Sequence, residues 1–303
     1  MKILIIGAGA LGSYFGGCLQ KGGNDVTLVC RNREHREAIL SNGLCLETNG
    51  ETENISINCI SEIDVQHLNT EFRMVFIFTK SRDSYDALKI SEKLIKKSTA
   101  LISLQNGIGN EEILQQFSSK VIFGCTTLPS DLKRAGLVSS SGTHITNFSS
   151  ISTADNQLAI ELKDMLSGCG IYSEISIDIS ESIWKKAIFN SAVNVICALI
   201  RGSPGEIAKS KELINLANNV ASEGCEVAQN WDIKVDIKEV KNIISMSMLE
   251  HPNHKPSMLV DILNNKKTEI DSITGQIIKF GKKGNVQTPY NNVLYSLIKA
   301  LEK

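Results

Sequence analysis

Residues 2–12 read Lys-Ile-Leu-Ile-Ile-Gly-Ala-Gly-Ala-Leu-Gly, a short apolar run that ends in G-x-G-x-x-G. No other segment constrains the fold as tightly, because each glycine has its own physical task. Gly7 permits a tight turn out of a strand, Gly9 lets the backbone approach an anion closely, and Gly12 lets the next helix pack hard against the strand. Residues 10–21 have helical spacing, so the positive end of a helix dipole and its unpaired amides face the same anion. Glycines also serve purely structural turns, but the strand before and the helix after favour a dinucleotide pyrophosphate site, Gly7-Ala8-Gly9-Ala10-Leu11-Gly12, on a parallel sheet.

The rest of the first half continues that pattern. Runs 25–30 (DVTLVC), 74–79 (MVFIFT) and 100–104 (ALISL) read as strands, 83–96 as a helix, and Gly43, Asn49-Gly50 and Asn106-Gly107 as turns or loop entries. From 120 to 178 the runs VIFG, GLVSS, THITNF and GIYSEI, with a helix near 155–167, are expected to extend the sheet, in part antiparallel. After Asp178 helical periods take over, at 180–200, 205–231, 236–249, 256–265 and 268–303. The expectation is an α/β Rossmann-type N-terminal domain over 1–178 and an all-α C-terminal domain over 179–303, since a chain of 303 residues is long enough to divide into two cores.

Charge and cysteine usage narrow the function classes. With 32 basic and 33 acidic residues there is no excess field to gather a nucleic acid or an anionic membrane. The eight cysteines are scattered, and no two form a Cys-x-x-Cys pair, which argues against disulfides or a metal site and for a reducing cytoplasm. The apolar start superficially resembles a signal peptide, but Gly7, Gly9 and Gly12 interrupt it and only Lys2 precedes it. No other stretch reaches the ~18 unbroken apolar residues of a membrane span.

Three further features point to chemistry. The second strand ends in Cys30 followed by Arg31-Asn32-Arg33. It lacks the carboxylate that usually holds the ribose of NAD, and it offers guanidinium for the 2′-phosphate of NADP. Lys80 and Asn106 follow the next strands, at the carboxyl edge where such sheets bind ligands. Lys186, Asn190 and Asn194 stand at i, i+4 and i+8 on an otherwise apolar segment, so they share one helical face. A solvated interdomain stripe would have the same spacing. A lysine, cationic with an ordinary pKa of about 10.4, also suits protonation of a carbonyl as a hydride arrives.

These residues together resemble the ketopantoate reductase (2-dehydropantoate 2-reductase) family. The resemblance spans nearly the whole chain: GAGALG at 7–12, Arg31, Lys80, QNG at 105–107, the W-x-K-x-x-x-N-x-x-x-N helix from Trp184 to Asn194, and Ser257-Met-Leu followed by Thr268-Glu269. It implies a helical domain like the C-terminal bundle of 6-phosphogluconate dehydrogenase, and reduction of 2-dehydropantoate to (R)-pantoate by NADPH in pantothenate and coenzyme A synthesis. Carried over by position, it makes Lys186 the proton donor and puts Asn106, Asn190, Asn194 and Ser257 on the substrate. Glycines 7–12, Arg31, Lys80, Asn106, Ser130 and Glu269 would contact the cofactor. His254 stands where members often have Asn, and Pro204 where some members place another substrate-contacting Asn, so the resemblance speaks more firmly to reaction type than to the keto acid. A paralogue acting on another small 2-keto acid and a non-catalytic NADP-binding sensor are the alternatives, in a monomer or homodimer.

Overall fold

Four of the five residues of the first strand, β1 (Lys2–Ile6), are fully buried, and they divide between two cores. Ile3 and Ile5 face one apolar cluster with Phe15, Leu28 and Phe76, while Leu4 and Ile6 face another with Val75, Leu101 and Val121. A strand covered on both faces needs a continuous apolar run rather than alternation, which is why KILII reads as it does. Each such side chain contributes about 1.5–3 kcal/mol relative to leaving it in water. The computed structural model describes residues 1–302.

Along the chain follow α1 (Ala10–Lys21), β2 (Asp25–Val29), α2 (Arg33–Asn42), β3 (Leu44–Thr48), β4 (Glu51–Ile55), β5 (Asn58–Ile60), β6 (Met74–Ile77), α3 (Ser84–Ser91) and β7 (Ala100–Ser103). After these come α4 (Asn110–Leu114), β8 (Val121–Thr126), β9 (Asp131–Arg134), β10 (Leu137–Ser140), β11 (Thr146–Ser150), α5 (Asn156–Gly168) and β12 (Ser173–Ile175). The main sheet has the order β12-β11-β8-β7-β6-β1-β2-β5. Its stretch from β5 to β8 is all parallel, with β1 between β2 and β6. That is the doubly wound order, whose switch point beside β1 is where such sheets bind ligands.

VIFG, THITNF and GIYSEI extend the sheet as expected, with β11 antiparallel to β8 and parallel to β12. GLVSS does not. As β10 it joins a separate four-stranded sheet, β4-β3-β10-β9. That sheet starts from a hairpin whose turn is Asn49-Gly50, both with positive φ (51° and 88°) and with Thr48 paired to Glu51. Two consecutive left-handed residues match the twist of a two-residue hairpin, so the turn was legible but the strands it joins were too polar to read.

The second unit is helical: α6 (Ile179–Ile200), α7 (Pro204–Ala208), α8 (Lys211–Asn230), α9 (Ile237–Glu250), α10 (Ser257–Leu263), α11 (Thr274–Lys283) and α12 (Pro289–Leu301). Two of the expected helices are broken. The span 205–231 divides at Ser210, whose hydroxyl caps α8 by accepting from the Leu213 amide at 3.2 Å. The span 268–303 divides at Gly284-Asn285, with Asn285 at φ 56° and Pro289 at the first position of α12. Residues 268–273 form turns anchored by Thr268, whose amide and hydroxyl donate to Glu302 at 2.7 and 2.6 Å. α6 has the length and apolar content to cross a bilayer, yet 72% of that stretch is buried, as in the core helix of a bundle.

The chain separates into two compact units, one comprising Met1–Gln105 with Asn110–Ile179 and the other Asn106–Gly109 with Ser180–Lys303.

Candidate functional site

The glycine turn has the form its spacing predicts. Gly7 adopts φ +101°, and a Cβ there would lie 2.5 Å from the Thr79 amide nitrogen and 2.6 Å from the Phe78 carbonyl carbon. A Cβ on Gly12 would lie 2.2 Å from the Gly7 carbonyl oxygen. Both positions exclude any side chain. Gly9 differs: a Cβ there meets nothing within 4 Å, so the backbone borders open space. Gly9 also precedes α1 without a side-chain cap, and the first amide to bond within the helix is that of Ser13, to the Gly9 carbonyl at 2.9 Å. The amides of Ala10, Leu11 and Gly12 therefore lead out of a twelve-residue helix beside a backbone that nothing crowds. This cradle fits a pyrophosphate.

The Gly7 and Ala8 amides donate to the Val29 carbonyl at 3.1 and 3.0 Å, which fixes the turn against the end of β2. Arg31 follows two residues later. Its guanidinium donates to Glu62 through Nε (3.1 Å) and Nη2 (2.9 Å) and lies 3.8 Å from Asp83. The carboxylate missing from the end of β2 is thus supplied in space by Glu62, just beyond β5, because β5 pairs with β2 and the Cys30 amide donates to the Ile60 carbonyl at 2.9 Å. Nothing in the local sequence marks that pairing. Arg33 turns instead along its own helix onto Glu37, at 2.6 Å.

His35 ties α2 to α1 and to the turn between β9 and β10. Its Nδ1 accepts from the Gly136 amide at 2.9 Å, so the proton sits on Nε2, which donates to the Ser13 hydroxyl at 3.0 Å. Burial pushes its pKa below the usual imidazole value.

Lys80 follows β6, half-buried, at the entry to a 3-10 turn (Ser81–Asp83). Gln105, inside the QNG motif, ties that loop to the next one. Its Nε2 donates to the Thr79 carbonyl at 2.5 Å and to the Ser84 hydroxyl at 2.8 Å, while its Oε1 accepts from Ser103 at 2.9 Å. Sequence reasoning gave Gln105 no role. Its place between Ser103 and Asn106 was the available signal. Ser130 is half-buried in the loop between β8 and β9, the latter a strand of the second sheet.

In the helical unit, α6 carries Lys186, Asn190 and Asn194 on successive turns. Asn190 and Asn194 are 6% and 9% exposed, and Asn194 Nδ2 donates to Asn190 Oδ1 at 3.0 Å. That bond uses the Asn190 acceptor and leaves its NH₂ to donate onward. Lys186 is half-buried one turn earlier. Its neighbour Lys185 is committed elsewhere, to Glu181 (3.1 Å) and Glu239 (2.7 Å), which hold its pKa up. Asn106 packs with this unit and donates to Glu269 at 3.3 Å, and the next loop residues are pinned by the Ile108 amide on the Ser272 carbonyl at 2.9 Å. Ser257 is the exposed first residue of α10, with Pro256 in the capping position. His254 is exposed in the preceding loop, and Pro204 is buried as the first residue of α7.

A flank of α6 beside the row is held by a buried network. The Ser191 hydroxyl donates to Asn291 Oδ1 at 2.7 Å and lies 2.8 Å from the Thr274 hydroxyl. Asn291 Nδ2 donates to Glu223, which also accepts the Tyr290 and Asn291 amides at 2.9 and 3.0 Å. One carboxylate on α8 thereby caps α12 and, through Asn291, positions α6.

Two family models match the chain, ketopantoate reductase PanE/ApbA over residues 3–153 and its C-terminal counterpart over 178–302. The 2-dehydropantoate 2-reductase of Pyrococcus horikoshii is 38% identical over 302 residues, covering 100% of this chain and 98% of the relative. Among solved structures, a D-mandelate dehydrogenase in ternary complex with NADH and anilino(oxo)acetate superposes with a TM-score of 0.94 at 31% identity, covering 100% of this chain and 98% of that one. A PanE/ApbA family ketopantoate reductase from Ralstonia eutropha gives 0.90 at 26%, with the same coverage. Matched over 3–153 and 178–302 by the two family models and along its whole length by a 38% identical relative, the chain belongs to the ketopantoate reductase family.

Proposed function

We propose that the protein reduces 2-dehydropantoate to (R)-pantoate with NADPH, in the cytoplasm, as a monomer or homodimer. The observation that carries this reading is the row on α6: an ammonium and two nearly buried amides on one face, with Asn194 orienting Asn190 as a donor. An ammonium and an amide donor side by side on one helical face suit the carbonyl and carboxylate oxygens of a keto acid. When bound, NADPH supplies the hydride for C2 of the keto acid, from C4 of its nicotinamide. Lys186 then protonates the carbonyl oxygen, while Asn190, Asn194, Asn106 and Ser257 hold the carboxylate and hydroxyl in register. On this reading residues 1–178 carry the dinucleotide and 179–303 the proton donor. The amides of the 7–12 turn hold the pyrophosphate, Arg31 meets the 2′-phosphate, and Lys80, Asn106, Ser130 and Glu269 complete the cofactor contacts.

A related reading is reduction of a different 2-keto acid. It is favoured by the likeness to D-mandelate dehydrogenase and by His254, whose ring is larger than the amide that members often carry there. NADPH oxidation measured with ketopantoate, ketoisovalerate, oxaloacetate and benzoylformate separates the two. The expected result is fastest turnover of ketopantoate and a loss in kcat on the order of 100-fold or more in Lys186→Ala, the scale of general acid catalysis. A folded protein that oxidises NADPH with none of the four, or a Lys186→Ala variant with unchanged kcat, sinks the assignment.

A further inference from the structure

The corner at the end of β2 holds two recognition groups of opposite kind in one ion pair. In doubly wound sheets a carboxylate at this corner accepts the ribose hydroxyls of NAD, whereas an arginine accommodates the 2′-phosphate of NADP. Here Glu62 accepts from both Nε and Nη2 of Arg31, at 3.1 and 2.9 Å, and Asp83 stands 3.8 Å from Nη1. The Nε–Nη2 edge is the paired-donor fork that a phosphate takes in bidentate fashion. Glu62 therefore occupies the surface of Arg31 that a 2′-phosphate needs.

The pair is accessible to a ligand: the Arg31 side chain is 64% exposed and that of Glu62 26%. Its geometry is set by the backbone on both sides. β5 runs parallel to β2, with Val29 opposite Ile60, so Arg31 and Glu62 each follow two residues behind paired positions. Other charges nearby include Arg82, 3.8 Å from Asp83, and Arg36, whose Nη1 donates to the Cys30 carbonyl at 3.0 Å. A dianionic phosphate arriving at this corner meets two carboxylates as well as guanidinium, and must detach Arg31 from Glu62. A ribose with a free 2′-hydroxyl meets neither cost, because the hydroxyl donates to Glu62 with the ion pair intact.

We propose that Glu62 is a cofactor-specificity residue that opposes the 2′-phosphate and makes NADH a working cofactor beside NADPH. This deepens the functional reading above and rests on its assignment of the 7–12 turn to a dinucleotide. Removing the carboxylate frees Arg31 for the phosphate and removes one like charge, which shifts the preference toward NADPH.

The test measures dissociation constants of NADPH and NADH, without keto acid, by nicotinamide fluorescence in the wild-type protein, Glu62→Gln and Glu62→Asp. The wild type is expected to bind both. In Glu62→Gln the NADH-to-NADPH ratio of dissociation constants rises by roughly tenfold or more, as expected for loss of one contact-range charge facing a dianion. Glu62→Asp keeps the charge and moves the ratio less. A ratio in Glu62→Gln within twofold of wild type, or a wild type that binds NADPH and not NADH, overturns the proposal while leaving the dinucleotide site standing. A folded wild type that binds neither dinucleotide removes the site itself. Thermal melts of each variant separate an unfolded protein from a non-binding one, and Glu62→Asp supplies the comparison if the glutamine variant unfolds.

Discussion

His35 illustrates what a single residue can do once its partners are known. It accepts from Gly136, 101 positions away, and donates to Ser13 on α1, with its ring fully buried. Protonating Nδ1 would set a donor against the Gly136 amide, and burial already holds the folded-state pKa below 6.5. The unfolded chain therefore takes up the proton first as pH falls, so the stability His35 contributes is complete above about 6.5 and declines as pH drops through that value. Thermal melts at pH 7.5 and 5.5 are expected to show a larger drop for wild type than for His35→Gln. Identical drops would refute the account. Truncation to Ala is expected to cost about 2–4 kcal/mol at pH 7.5, from two lost hydrogen bonds and a cavity. The roles of His35, Gln105 and Glu62 could not be read from the chain for one reason, since each acts through a partner brought near by sheet pairing or loop packing rather than by chain neighbourhood.

At the scale of elements, strong local signals were legible and weak ones were not. β1, β6 and β7 are apolar on both faces and stood out from the chain. β9, whose four residues are all exposed, and β4, with four exposed residues of five, have no such pattern and form only because neighbours complete their ladders. The helices broken at Ser210 and at Gly284-Asn285 each carried a capping or stopping residue that outweighs helical periodicity. Glu223 binds α8 to the start of α12 and, through Asn291 and Ser191, supports the helix that carries Lys186. Glu223→Ala is expected to destabilise the protein by about 2–4 kcal/mol, because it strands buried donors on α12. Urea unfolding monitored by circular dichroism would measure this, and a change under 0.5 kcal/mol would show that the cap carries no weight.

For the whole molecule, ligand linkage gives the corresponding prediction. A dinucleotide that binds the folded chain alone stabilises it by about 2.7 kcal/mol at 100 times its dissociation constant. NADPH at that level is expected to raise the melting temperature by several degrees, and Gly9→Val, whose side chain would project into the open space over the turn, is expected to abolish the rise. A full shift in that variant would place the dinucleotide elsewhere. The sequence alone determined the succession of β1, α1, β2, β6 and β7 along the chain, the glycine turn and the spacing of the polar row on α6, because apolar periodicity and glycine sterics act within a few residues of the chain. Only the tertiary structure decided that β10 leaves the main sheet, that Glu62 meets Arg31, and that Gln105 and Glu223 brace the loops and helices around the candidate residues. Those outcomes depend on which strands and helices become neighbours, a choice made by burial and pairing over the whole chain and written in no single stretch of it.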